Sequence, residues 1–217
     1  MQQKAVLFDL DGTIIDSAPG IFHTLEQTLA GYAIFPPRES LRRYLGPPLR
    51  DTFADFLPPQ QIEEAVTTYR TLYRAKGIYE CTLYTGVAQM LAALKKAGLT
   101  VCLATSKPKE LAEIILERFC VAQYFDYIGG ATLDSRIDTK TAVIVDVCKQ
   151  PCMTQKTAVM VGDRNNDMQG AADCALPAIG VLYGYGSETE LAAFHPVYLA
   201  KTTADLQHYL LNINLFC

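Results

Sequence analysis

The chain has 217 residues, 50% of them hydrophobic and 19% charged, and 23 acidic against 19 basic side chains give a net charge of −4. At roughly 150 residues per domain, this is one large domain or a core with a modest insertion, and the apolar content excludes wholesale disorder. The acidic balance argues against a nucleic-acid polymer as partner. No apolar run approaches the roughly 18 residues of a membrane span, and no signal peptide fits an N-terminus that reaches Asp9 so soon.

Lys4-Ala-Val-Leu-Phe-Asp9 is an apolar run without alternation, as expected of a buried parallel strand. Ser17 stands as a helix cap before Pro19, and the helix runs to about Ala30 with Gly31 as its stop. Prolines 36, 37, 47 and 48 break the next stretch. After Pro58-Pro59, the residues Ile62, Ala65, Val66, Tyr69, Leu72 and Tyr73 follow helical spacing up to Gly77. No strand pattern interrupts residues 17–77.

Beyond residue 82 strands and helices alternate. A helix carrying Val87, Met90, Leu91 and Leu94 stops at Gly98, and a strand spans Leu99–Thr105. Leu111, Ile114, Ile115 and Phe119 mark a helix, and Ile128 begins a brief strand. Then come a helix at Thr139–Val147, a strand at Thr157–Gly162, a helix at Asn166–Asp173 and a strand at Ala178–Leu182. Ser187-x-x-Glu190 matches a capping box, followed by a strand at Val197–Leu199 and a helix at Leu206–Leu211. The pattern is an α/β parallel-sheet core, residues 1–16 and 81–217, interrupted by an all-helical insert at 17–80.

The seven cysteines (81, 102, 120, 148, 152, 174 and 217) include no Cys-x-x-Cys, and no histidine lies near a cysteine pair, which argues against a zinc site. They read as reduced thiols of a cytoplasmic protein, mostly small buried hydrophobes. A surface thiol such as Cys217 is the alternative.

In a parallel sheet, ligands sit beyond the carboxyl ends of the strands. There the chain places Asp9-Leu-Asp11-Gly12-Thr13, Thr105-Ser106-Lys107, Asp138-Thr-Lys140 and Gly162-Asp163-Arg-Asn-Asn-Asp167. Each has a plain reading: a turn, a helix cap, a solvated lysine, an acid in a first helical turn. Together, and in order, they read as one site. Converging carboxylates repel one another, and a divalent cation with oxygen ligands, Mg²⁺, relieves that repulsion. Thr105 and Lys140 then supply partners for a phosphoryl group that a carboxylate can attack.

These motifs resemble the haloacid dehalogenase superfamily of phosphatases. The likeness continues in Gly170-Ala-Ala and Gly180-Val-Leu-Tyr-Gly-Tyr-Gly-Ser187, covers nearly the whole chain, and points to the branch of phosphoglycolate phosphatases and 5′-nucleotidases through Leu45-Gly-Pro-Pro-Leu49 and 183–187. It implies a Rossmann-like core whose helical insert is a small cap. It also implies roles: Asp9 as nucleophile, Asp11 as general acid and base, and Mg²⁺ held by Asp9, Asp163 and the Asp11 carbonyl. Asp167 would orient the metal shell or Lys140. Gly12, Thr105, Ser106 and Lys140 would bind phosphate. The Lys-Pro-x-Pro run that many relatives carry after the lysine is missing here. The expected substrate is a small phosphorylated metabolite, the protein a monomer or weak homodimer. A sugar phosphomutase of the same fold and a phosphorylatable receiver module are the rivals.

Outside the motifs, Arg38, Arg42, Arg43 and Arg50 against Glu39 form a basic stretch in an acidic chain. Either Arg42, Arg43 or Arg50 reaches the substrate's remote part, or the stretch is a solvated helix face. Tyr183 and Tyr185 pack or stack on substrate. His23 is partner-satisfied or faces the cleft. The apolar tail 210–217 docks on the core or on a second copy.

Overall fold

The computed structural model describes residues 4–134, 136–153 and 157–212. The chain divides into two compact units, Met1–Ile15 with Leu83–Cys217 and Asp16–Thr82. It opens with strand β1 (Lys4–Phe8), in which Ala5, Val6, Leu7 and Phe8 are all buried, the signature of a strand covered on both faces. β2 (Ile15–Asp16) pairs with β3 (Thr82–Leu83) where the chain passes from one unit to the other.

The second unit is helical: α1 (Ala18–Ala30), a 3₁₀ segment at Arg38–Tyr44, α2 (Leu49–Ala54), α3 (Pro59–Ala75) and a 3₁₀ turn at Gly77–Tyr79. Its core comes from Leu25, Leu29, Leu41, Phe53, Ala65, Val66, Tyr69 and Tyr73, with Phe53 edge-on to Tyr69. Two expected helix signals differ. Ser17 is buried and makes no side-chain cap; the Asp16 carboxylate accepts from the Ala18 N–H (3.1 Å) instead. Gly31 stays right-handed (φ −61°), and the left-handed residue after α1 is Ala33 (φ 58°). His23 pairs with Glu80 at 2.8 Å.

In the first unit follow α4 (Val87–Lys96), β4 (Thr100–Pro108), α5 (Lys109–Arg118), β5 (Tyr127–Ala131), α6 (Lys140–Cys148), β6 (Thr157–Gly162), α7 (Asn165–Asp173), β7 (Ala178–Val181), α8 (Glu188–Ala192), β8 (Tyr198–Ala200) and α9 (Thr203–Asn212). The sheet order is β5-β4-β1-β6-β7-β8, all parallel. The chain fills one side of β1 first and then the other, so β1 lies at the switch point where such sheets bind ligands. Leu7 on β1 and Val143, Ile144 and Val147 on α6 belong to one buried cluster.

β4 runs three residues past the expected end at Thr105, with a register shift against β5 between Thr105 and Pro108. The capping box is half made: Ser187 accepts from the Glu190 N–H, but the Glu190 carboxylate is drawn to Arg164 and Asn165. The expectation of mostly buried cysteines is also corrected. Of the six described, all free thiols, Cys81 and Cys102 are buried and Cys120 and Cys148 are exposed. Cys120 sits at the left-handed turn that ends α5 (φ 54°), where a side chain projects outward. Cys217 and residues 213–217 of the apolar tail lie outside the described residues; Leu210, within them, is buried.

Candidate active site

Asp9 is the first residue past β1. Its N–H donates to Val161 O (2.9 Å), so the sheet fixes its backbone. Lys140 opens α6, whose N-cap Thr139 accepts from the Ala142 N–H. A lysine there would ordinarily be solvated, yet its side chain is 5% exposed. The ammonium lies 2.8 Å from Asp9 Oδ1 and 2.8 Å from Asp167 Oδ1, and donates to Ala104 O at 3.0 Å. Two carboxylate oxygens meet the ammonium as ion pairs, outside hydrogen-bond geometry, and one carbonyl accepts a hydrogen bond from it. Burial pulls the Lys140 pKa down, but Asp167 and Asp9 outweigh it and the net shift is upward.

Asp163 follows β6 and is fully buried. Its Oδ2 accepts from the Tyr185 N–H (2.7 Å) and its Oδ1 faces the Thr13 hydroxyl (3.4 Å). The Tyr183 hydroxyl in turn donates to Thr13 O at 3.1 Å, with its ring edge-on to Tyr84. Asp167, at the third position of α7, reaches back with Oδ2 to the Asp163 and Arg164 N–H groups (3.1 and 3.0 Å). Glu190 accepts from Arg164 Nε and the Asn165 N–H, tying α8 to the start of α7.

One carboxylate oxygen from each of Asp9, Asp163 and Asp167 lies within 4.8 Å of the others. Burial pushes Asp9 up to about 6, against the pull of Lys140 and with Asp167 and Asp11 adding to the rise. Burial, then Asp167 and Asp9, hold Asp163 well above the carboxylate range. Crowded buried carboxylates of this kind fit an oxygen-liganded divalent cation. Each of the three offers one oxygen toward such an ion, and Asp167 is in addition tied to Lys140 and to two backbone N–H groups. Four aspartates (9, 11, 163, 167) against Lys140 and Lys107 leave two formal negative charges, the charge that Mg²⁺ cancels.

Asp11 pairs with Lys107, Nζ to Oδ2 3.1 Å. Gly12 has φ +81°, and a Cβ on it would overlap the Asp163 carboxylate, so glycine is needed for close approach. Its N–H donates to Ile15 O (2.8 Å), which engages the amide expected to meet phosphate. Thr105 is buried in β4 just before its register shift, and Ser106 beside it is exposed. In the helical unit Arg43 pairs with Asp55 (3.3 Å) and Arg50 with Glu63 (2.5 Å). Arg42 is exposed, with no ion pair among the described residues.

Sequence reasoning assigned no role in the site to Lys107, Thr13 or Glu190. Lys107 and Thr13 stood in quoted motifs and Glu190 in an expected capping box, but their partners lie far off in sequence.

A family model described as haloacid dehalogenase-like hydrolase matches residues 6–181. The chain belongs to this family. A 5′-nucleotidase of Pseudomonas aeruginosa is 35% identical over 208 residues, 94% of each chain. Tyrosine-protein kinase PtkA of Mycobacterium tuberculosis is 36% identical over 184 residues, 84% of this chain and 63% of that one. A crystal structure of a predicted phosphatase from Clostridium acetobutylicum superposes with a TM-score of 0.91 at 36% identity, covering 98% of this chain and all of that one. As a haloacid dehalogenase-like hydrolase the chain is a phosphoric monoester hydrolase.

The carboxylate cluster has a direct test. Mg²⁺ at about 100 times its Kd adds about 2.7 kcal/mol of stability, read as a higher Tm, and Asp163→Asn removes most of that rise. A melt indifferent to Mg²⁺, or an unchanged rise in Asp163→Asn, contradicts the cation site. The expectation that an arginine of this stretch reaches substrate has its own test: it requires Arg42→Ala, which breaks no ion pair among the described residues, to lower kcat/KM on the best substrate by about tenfold. Arg43→Ala and Arg50→Ala, each removing an exposed ion pair, leave it within about threefold. No loss in Arg42→Ala ends the arginine reading.

Proposed function

We propose that the chain is a Mg²⁺-dependent phosphatase that works through an aspartyl phosphate on Asp9. The observation that carries this reading is Lys140, buried between Asp9 and Asp167 with Asp163 alongside. In the first step a carboxylate oxygen of Asp9 attacks phosphorus and the bond from phosphorus to the alcohol oxygen breaks. Asp11 gives its proton to the departing oxygen. In the second step water attacks the same phosphorus and loses its proton to Asp11. Inorganic phosphate leaves, and the Asp9 carboxylate is restored. Lys140 and Thr105 hold the phosphoryl oxygens, and Asp167 keeps Lys140 in place. Asp9, Asp163 and the Asp11 carbonyl would hold Mg²⁺, which would supply positive charge beside the phosphoryl group.

The substrate is a small phosphorylated metabolite. A mononucleotide ranks first, supported by the 5′-nucleotidase relative with which the chain shares 94% of its length. Phosphoglycolate is the second choice. The enzyme acts in the cytoplasm as a monomer or weak homodimer, without nucleic-acid polymer or membrane. The six described free thiols and the net charge of −4 support this placement, and no helix among the described residues is long and apolar enough to cross a membrane.

Asp9→Asn lowers Mg²⁺-dependent phosphate release by about three orders of magnitude or more on nucleotides, sugar phosphates and phosphoglycolate alike. Full turnover in Asp9→Asn contradicts the mechanism. Isomerised sugar phosphate or a phosphorylated alcohol as product, in place of free phosphate, makes the chain a mutase or transferase. A long-lived acyl phosphate makes it a receiver module.

A further inference from the structure

Each carboxylate of the Asp9-x-Asp11 pair has its own lysine. Lys140 serves Asp9, and Lys107, unassigned so far, stands at Asp11 with Nζ 3.1 Å from Oδ2. Lys107 lies where β4 breaks register with β5 between Thr105 and Pro108. Such irregularities re-aim a side chain at the end of a strand. Thr105 stabilises this one, since its hydroxyl oxygen accepts from the Lys107 N–H at 3.2 Å. A lysine at a strand end ordinarily carries its ammonium out to water on a flexible stem. Here the side chain is 7% exposed, and burying an ammonium is unfavourable unless a charged partner meets it. The partner, Asp11, is held by its own turn, in which Asp11 bridges Ile15 and the Gly12 N–H donates to Ile15 O.

We infer that Lys107 is a positioning residue for Asp11: its ion pair fixes the rotation of the Asp11 carboxylate, so that the acid meets the leaving alcohol oxygen in one orientation. Lys107 thereby acts through Asp11 and not on the phosphoryl group, which is left to Lys140 and Thr105. The same division explains why two lysines are buried at one sheet edge.

The inference rests on the proposed acid role of Asp11, and its test separates the two. A nitrophenolate leaves without a proton, whereas an alkoxide needs one. The measurement is kcat/KM on p-nitrophenyl phosphate and on a 5′-mononucleotide, for wild type, Asp11→Asn, Lys107→Met and Lys107→Arg. This parameter reports the steps up to release of the alcohol. Asp11→Asn lowers the nucleotide-to-aryl ratio. Lys107→Met lowers it in the same direction by about tenfold to a hundredfold, the cost of a misplaced group. Lys107→Arg, which keeps the charge, recovers most of the loss. A merely structural lysine would lower both substrates together and leave the ratio alone. A ratio that moves in Asp11→Asn but not in Lys107→Met overturns the positioning role and leaves the acid in place. A ratio unmoved in Asp11→Asn overturns the acid role, and the inference with it. Should Lys107→Met not fold, Lys107→Gln is read in the same way.

Discussion

The site depends on one buried ammonium. Lys140 is almost wholly withdrawn from water, a position that is costly unless opposite charge and hydrogen bonds replace the solvent. Asp9, Asp167 and Ala104 O provide them, and they come from three places: just past β1, the first turn of α7 and the middle of β4. The ion pairs therefore knit together the carboxyl ends of neighbouring strands. Losing one partner of such a group typically costs about 3–5 kcal/mol, because the remaining charge is stranded. The sheet order, with β4 and β6 flanking β1, is what lets a lysine from a fourth element reach all three. The strand order and the catalytic geometry are in this sense one constraint.

Charge is distributed unevenly, and the net −4 conceals this. Four aspartates sit close together in the α/β unit, opposed by Lys140 and Lys107. The basic stretch of the helical unit is largely neutralised within that unit: Arg38 pairs with Glu26, Arg43 with Asp55 and Arg50 with Glu63. These are exposed pairs of small energetic weight, but they occupy guanidinium groups that an anionic ligand would otherwise attract. Overall acidity and recognition of a phosphate are compatible, because the sign that matters is set locally, by lysines and by the cation that the proposed function places among the aspartates.

Much of the fold could be read from the residues because burial on both faces leaves a plain mark. The apolar runs at 4–8 and 157–162 could hardly be anything but central parallel strands, and polar residues at their ends marked the site. The unread parts have physical reasons. Gly98 ends α4 in the left-handed conformation as expected, but Ala33 takes it after α1 in place of Gly31, and Cys120, Ala175 and His195 take it where no glycine marked a stop. The β4 irregularity leaves no compositional trace, so Lys107 looked like a loop residue past a strand ending at Thr105. The Ser187-x-x-Glu190 spacing matched a capping box, but Arg164, distant in sequence, competes for the glutamate. Cysteines 120 and 148 are exposed because hydrophobic character alone does not say which side of a turn or helix faces inward.

Within the site, the residues legible in advance were those that follow strands directly, Asp9 and Asp163, along with Asp167 and Lys140 at helix starts. Those that hold them in place, Thr13, Tyr183, Glu190 and Lys107, became visible only through contacts across the chain. The central claim is that Asp9 carries the phosphoryl group, and trapping that species tests it most directly. Enzyme turning over substrate with Mg²⁺ is quenched in acid within milliseconds, digested and analysed by mass spectrometry. The account predicts one phosphoryl group on the peptide containing Asp9, absent without substrate and absent in Asp9→Asn. Steady turnover with no phosphorylated peptide under rapid quench, or a phosphoryl group mapped to another residue, would contradict it.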